Sequence, residues 1–476
     1  MRNVMWSRSE RAALAVLALA VPGLALSACT VAMIGRGEDA DAGTAREDAA
    51  PSTVELDAAR AEPTAPMPEP EPEDTCDRGL RTPDLPGSVR DACTGSVAFP
   101  TAAWAVCACE DVRVQGYVRT HAIDSRGMPA DPTRGGAAVG VNRALVAASY
   151  LDIGGTLVVA EPGGDGLALA GALEVAGDLA VGGGARSAGW VSIARDASFE
   201  GDVTLAGAIS VGRDLVMPAG RSLRAVPLVR GARRSEPVEV ARPCDCSAPL
   251  DVGRLVDAAR ADNDDALVGL DPRAWRSLVG AGSFELPCGR YYVESIGGTG
   301  ALRLGVTGHV SLYVGGDVDV TGALLVELAD GATLDVFVRG DLRALGASAL
   351  GDPSRPAAMR IHVGGSGDIA LTGAAAIAAH LDAPRARLTA PGALLLRGSL
   401  FVRAIELAGA LEVIWDRAFT SIGDDCPPPP DDGCDRCDGT CGTAACVDGA
   451  CGACESDADC CAPLVCAAGV CTSVPI

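Results

Sequence analysis

The chain has 476 residues, a formal net charge of −23 and only 3% aromatic residues, with 59 glycines. Such acidity excludes nucleic acid and anionic lipid as favoured partners and promotes solubility. A composition so rich in Gly, Val, Leu and Ala suits thin stacked β layers and excludes a core built on large aromatic anchors.

Arg2, Arg8 and Arg11 precede an apolar run over residues 12–26. A basic start, a short apolar stretch and small residues before a cut predict a secretory signal over residues 1–28. The run is too short for a membrane span. Leu26-Ser27-Ala28-Cys29 resembles the bacterial lipobox, which implies cleavage before Cys29 and acylation (palmitate) of that cysteine. Thr30, not an acidic residue, comes directly after it. By resemblance to Gram-negative lipoprotein sorting, this implies the outer membrane, on its periplasmic face or at the cell surface. Residues 29–75 are acidic and rich in Pro, and predict a disordered tether between membrane and body.

Of the 19 cysteines, 18 remain once Cys29 is set aside. Cys76, Cys93, Cys107, Cys109, Cys244, Cys246, Cys288 and Cys426 lie in the body. Cys434, Cys437, Cys441, Cys446, Cys451, Cys454, Cys460, Cys461, Cys466 and Cys471 lie in the tail. Both subsets are even, which in an exported chain predicts structural disulfides rather than redox or metal pairs. The spacing leaves their connectivity open.

Residues 76–148 read as a small disulfide-tied β entry that caps a repeat region. Residues 149–217 carry a six-residue repeat, in which Leu173-Glu-Val-Ala-Gly-Asp is succeeded by Leu179-Ala-Val-Gly-Gly-Gly, and later by Val203-Thr-Leu-Ala-Gly-Ala and Ile209-Ser-Val-Gly-Arg-Asp. Each unit predicts a short strand and a Gly corner, and three units make a coil of roughly eighteen residues. Residues 218–290 break the pattern. They contain Cys244-Asp-Cys246 and place Val252, Leu255, Val256 and Ala259 at helical spacing, so they predict a mostly helical insertion. A second repeat block spans 291–423. Within it, Val310, Leu312, Val314, Val318 and Val320 alternate with His309, Ser311, Asp317 and Asp319. That period of two sets one face inward and the other outward. Residues 424–433 form a Pro-rich hinge, and 434–476 a cysteine-rich tail. The fold class expected is mainly β: a parallel β-solenoid with a short helical insertion and a small disulfide-rich C-terminal module.

Arg242-Pro-Cys-Asp-Cys246, Asp262-Asn-Asp-Asp265, Pro287-Cys-Gly-Arg-Tyr-Tyr292 and the Leu-x-Val-x-Gly-Asp repeats together resemble an uncharacterised family of secreted lipoproteins from gliding Gram-negative soil bacteria. The hexad repeat is similar to that of bactofilins, β-helical proteins that polymerise end to end. The ending Cys454-x5-Cys460-Cys461-x4-Cys466-x4-Cys471 resembles dickkopf-type or knottin-type modules.

No nucleophile–base pair stands out. Asp317, Asp319, Asp335 and Asp341 share the outward parity and are the candidate outer-face ligand residues, with solvated positions as their ordinary expectation. The same holds for His309 and His362. Gly-Asp corners read mainly as turns, with weak Ca²⁺ binding as the alternative, and Asp262 to Asp265 read as helix capping. The expected function is a lipid-anchored outer-membrane or cell-surface scaffold, structural or adhesive, without catalysis or cofactor. One alternative is a polysaccharide-acting β-helix lyase or hydrolase, and another is an end-to-end self-polymerising filament. Expected partners are the outer membrane, surface polysaccharide or protein, and further copies of the chain.

Overall fold

In a computed structural model, the residues described are 75–83, 93–126, 136–372 and 375–422, together with four short tail strands. The signal segment, Cys29, the tether up to residue 74 and the hinge lie outside the described residues.

The fold is a parallel β-solenoid of about 13 turns. Each turn lays strands on three walls in a fixed order. In one turn, Ala301–Val306 forms the first wall, His309–Val314 the second and Val318–Val320 the third. Inward residues make one continuous core of Val, Leu, Ile and Ala. Registers such as Leu179↔Ala197 and Ala197↔Leu215 step by eighteen residues. Val310↔Leu334 steps by twenty-four, chiefly because the second-wall strand His309–Val314 has six residues and the first-wall strand Leu324–Leu328 five, where Leu179–Val181 and Val191–Ile193 of the other block have three each.

Order in space is not order in sequence. Val106–Ala108 (β1) pairs with Val139 to Val141 on one side and with Leu400 to Val402 on the other. Val118–Ile123 likewise lies between Leu151 and Leu411. The solenoid therefore begins at Ala281, winds to Asp416, continues into Val106 and ends at Ser235. Residues 106–123 are its middle turn, not a cap as the sequence suggested. The two repeat blocks form one rod in which the later block precedes the earlier one.

This arrangement demands a long return connection, which residues 236–280 supply. Ser235 lies on the last rung, and Cys244 is bonded to Cys107 six rungs earlier. Six rungs span about 29 Å, and nine extended residues reach about 30 Å, so the strap runs nearly straight. A second bond joins Cys109 to Cys246. Between them Asn142 clamps the strap, its Nδ2 donating to Cys244 O at 2.8 Å and its Oδ1 accepting from Cys244 N at 3.0 Å. Cys76–Cys288 ties the N-terminal end of the body to the first turn, and Cys93 is also disulfide-bonded.

Among the described residues, four α-helices accompany the rod: α1 (Thr75–Gly79), α2 (Thr94–Ala102), α3 (Val252–Ala261) and α4 (Asp265–Val268). The helical spacing read over residues 252–259 is correct, but the insertion is not mostly helical. Leu223–Val229 and Arg233–Ser235 complete the last turn, and Ala281–Leu286 starts the first. Apolar Val226 and Leu228 beside Arg224 on the exposed side, and Pro227 on the inward side, hide the alternation of Leu223–Val229, in which Leu223, Ala225 and Val229 still pack on the core.

The ends of the rod are finished differently. At the first rung Asp264 Oδ2 accepts from Arg290 N at 2.8 Å, and Asp265 Oδ1 accepts from Tyr292 N at 2.9 Å. These carboxylates satisfy the open edge of the Gly289–Val293 strand, where the sequence suggested helix capping. At the last rung, Arg230 N donates to Val211 O, back toward the preceding turn. Hydrogen-bonding direction alternates along a parallel strand, so residue 227 faces the open edge. It is Pro227, which has no N–H to offer a further strand.

In the tail, Ala445–Val447 pairs antiparallel with Ala450–Gly452, and Leu464–Ala467 with Val470–Ser473. These registers set Cys446 opposite Cys451 and Cys466 opposite Cys471 along the backbone. The remaining tail cysteines and Cys426 lie outside the described residues.

Candidate functional site

Two outward-facing rows run along the second wall of the first six rungs. One carries Arg290, Ser311, Asp335, Arg360, His380 and Ser399 in register. The other carries Tyr292, Tyr313, Phe337, His362, Asp382 and Phe401. Alternation places all twelve away from the core, yet every one of them is buried. The N-terminal helices and the strap cover them.

The aromatic row receives α3, whose Val252, Leu255, Val256 and Ala259 pack on Tyr292, Tyr313 and Phe337. Tyr313 stacks on Phe337 at 4.8 Å between centroids, and Phe337 on His362 at 5.0 Å. Rungs about 4.8 Å apart suit such stacking directly.

The polar row receives α1 and α2. Ser311 Oγ donates to Gly79 O at 2.8 Å. A Cβ on Gly79 would fall 1.8 Å from His309 O, so only glycine permits this approach. Arg360 binds Asp335 through two hydrogen bonds of 2.5 and 2.6 Å, and also reaches Thr94 Oγ1 at 3.5 Å. Burial alone would depress the Arg360 pKa, but the Asp335 carboxylate outweighs it and raises the value above the usual one. His380 lies between Ser399 Oγ (2.6 Å from Nδ1) and Thr101 Oγ1 (2.9 Å from Nε2). Its desolvation pushes the imidazole down to about 3, so it is neutral at pH 7. His362 Nδ1 meets Asp382 Oδ2 at 3.0 Å.

Ser, His and Asp therefore do meet, but in a water-excluded seam. A nucleophile needs room for a reacting atom beside it, and here the Ser399 and His380 positions are filled by α2 and neighbouring rungs. The seam docks segments distant in sequence onto the rod. Only the burial of its members distinguishes it from a solvated face, and alternation alone carries no signal of that.

The four carboxylates singled out from the sequence do not converge. Asp335 is fully buried on the second wall rather than solvated. Asp317 and Asp341 lie at the corner between second and third walls, where Asp317 Oδ1 accepts from Asp341 N at 2.9 Å and Asp341 Oδ1 from Gly367 N at 3.0 Å. Asp319 is exposed on the third wall, in register with Arg343. His362 is likewise buried rather than solvated, while His309 is half-buried against Thr333 Oγ1 at 3.0 Å. The Asp corners of the other block behave alike: Asp178 accepts from Asp196 N at 3.1 Å and Asp196 from Asp214 N at 2.9 Å. Their carboxylates bond the next rung's backbone, where the sequence suggested bonding within the same turn. No cluster of three or more His, Cys, Asp or Glu within reach of a metal ion occurs among the described residues.

Residues 241–422 match the family model of a domain of unknown function, DUF7305. The match begins at the strap, just before Cys244, and runs through the last rung of the later block. It leaves outside it the turn bearing Cys107 and Cys109. No curated protein and no solved structure matches the chain.

Proposed function

We propose that the protein is an exported, lipid-anchored β-solenoid that serves as a rigid surface scaffold or adhesive rod and performs no chemistry of its own. The observation that carries this reading is how the outward polar groups are used. The Ser, His, Asp and Arg side chains that resemble catalytic parts are engaged in holding helices and strap to the rod. Thirteen rungs give a rod about 60 Å long, and the N-terminal lipobox and acidic spacer would hold it off an outer membrane. A polysaccharide lyase or hydrolase needs carboxylates gathered in one groove, and Asp317, Asp319, Asp335 and Asp341 are divided among three environments. Pro227 at the last rung and the Asp264–Asp265 cover at the first make end-to-end strand addition unfavourable.

The test has two parts. Cys29→Ala should move the protein from the outer-membrane fraction to the soluble exported fraction. Full-length protein incubated with surface polysaccharides should release no new reducing ends or unsaturated products. Turnover that is abolished by Asp317→Asn or Asp319→Asn would refute the non-catalytic reading.

A further inference from the structure

Aromatic side chains are scarce in this chain, and those that reach the surface are not scattered. Among the described residues the exposed ones are Phe99, Tyr117 and Trp190. Tyr117 and Trp190 occupy one edge of the rod, with half-buried Tyr150 between them. Each residue immediately precedes the first inward residue of a first-wall strand: Val118, Leu151 and Val191. Backbone bonds place them on the same edge, since Val118 N donates to Tyr150 O, Leu151 N to Ala172 O and Leu173 N to Trp190 O. The edge therefore reads Tyr117, Tyr150, Ala172, Trp190 on four successive rungs. Ala172 leaves room for its neighbours, and the Tyr150 and Trp190 rings lean to 6.3 Å between centroids.

Polar groups flank these rings on the outer face of the first wall. Tyr150 Oη donates to Glu174 Oε2 at 2.7 Å. Arg119 lies 5.5 Å from the Tyr117 centroid and 3.6 Å from the Asp152 carboxylate. Beyond Tyr117 the edge continues into a shallow depression of about 210 Å³ toward Glu412.

We infer that this edge is a binding track for a neutral linear polysaccharide lying along the rod axis. Sugar rings present an apolar C–H face that stacks on exposed Trp and Tyr, and a rim of hydroxyls that pairs with carboxylates and guanidinium. Rungs about 4.8 Å apart set platforms at intervals commensurate with successive rings of an extended glycan. Three carboxylates against one guanidinium, in a chain of net charge −23, disfavour a polyanionic polymer. The inference rests on the adhesive form of the proposed function and gives it a ligand class.

Affinity electrophoresis of the full-length protein tests it, in gels cast with glucomannan, xyloglucan or hydroxyethyl cellulose, with alginate as the polyanion. At least one neutral polymer should retard the protein, and alginate should not. Trp190→Ala and Tyr150→Ala should each weaken retardation about ten-fold, equivalent to losing one good contact. Phe99→Ala, an exposed aromatic off the track, should leave it unchanged. Ala172→Glu fills the space between the rings and should abolish retardation without removing an aromatic residue. Retardation by no neutral polymer, equal retardation of wild type and Trp190→Ala, or preference for alginate would each overturn the inference. A protein that binds none of them yet fractionates with the outer membrane would sink the track and leave the scaffold standing. One that binds glycan but ignores Cys29→Ala would do the reverse.

Discussion

The paired disulfides of the strap make a quantitative prediction. Cys107–Cys244 and Cys109–Cys246 each close a loop of 137 residues. On the chain-entropy estimate, closing such a loop stabilises the native state by about 5 kcal/mol. The two bonds are adjacent, however, so once either has formed the other closes only a ring of a few residues, worth about 2 kcal/mol. Replacing one pair, Cys107→Ala with Cys244→Ala or Cys109→Ala with Cys246→Ala, should therefore cost about 2 kcal/mol. Replacing all four should cost about 7 kcal/mol, well above the sum of the separate losses. The assay is guanidinium unfolding without reductant, read as midpoint shifts, with hydrogen exchange over residues 236–250 as the local readout. Exchange there should rise sharply only in the fourfold variant. Additive losses of similar size from each pair would refute the shared-loop reasoning.

Two further perturbations probe the seam. Asp335→Ala strands the buried Arg360 guanidinium and should cost about 3–5 kcal/mol in chemical denaturation, whereas Asp335→Leu combined with Arg360→Met should recover most of it. His380 supplies a pH test. Its folded pKa, about 3, lies below the ordinary imidazole value of 6.5, so the unfolded chain binds more protons between those limits. Its contribution is fully present above pH 6.5 and is lost as pH falls toward 3. Asp265 has the opposite slope, because burial beside Asp264 raises its carboxyl to about 6. Comparing wild type with His380→Asn removes that common slope. The thermal midpoint at pH 7 minus that at pH 4.5 should be more positive for wild type than for the variant.

Much of the rod was legible in the sequence, because a strand reports its two faces residue by residue. Val310, Leu312 and Val314 point inward as the alternation requires. The eighteen-residue coil emerges from the hexads and reappears in the register of Ala197 with Leu215. The helical spacing of Val252, Leu255, Val256 and Ala259 marks the face that α3 buries. Other features were hidden for identifiable reasons. The strand Leu223–Val229 carries Arg224 and Pro227, so its pattern reads as a loop. Ser311, Tyr313 and Asp335 obey the outward parity, but outward from a wall is not the same as exposed to water. Tyr117, Tyr150 and Trp190 are thirty-three and forty residues apart, and nothing in local spacing shows that rung stacking aligns them.

By itself, then, the sequence determined the architecture of each turn: which residues line the core, where the corners fall, and that the cysteines outside Cys29 are even in number. Those properties arise from interactions between near neighbours along the chain. The tertiary structure alone decided the order of the turns, the pairing of Cys107 and Cys109 with Cys244 and Cys246, and the burial of the second wall's outer face. The first two depend on contacts between segments more than a hundred residues apart, and the third on the equally distant N-terminal helices together with the nearer α3. Repeated turns offer many similar edges, so the hexad pattern fits several stacking orders equally well. The strap, the seam and the closing of Leu394–Leu407 onto Val106–Ala108 select one of them.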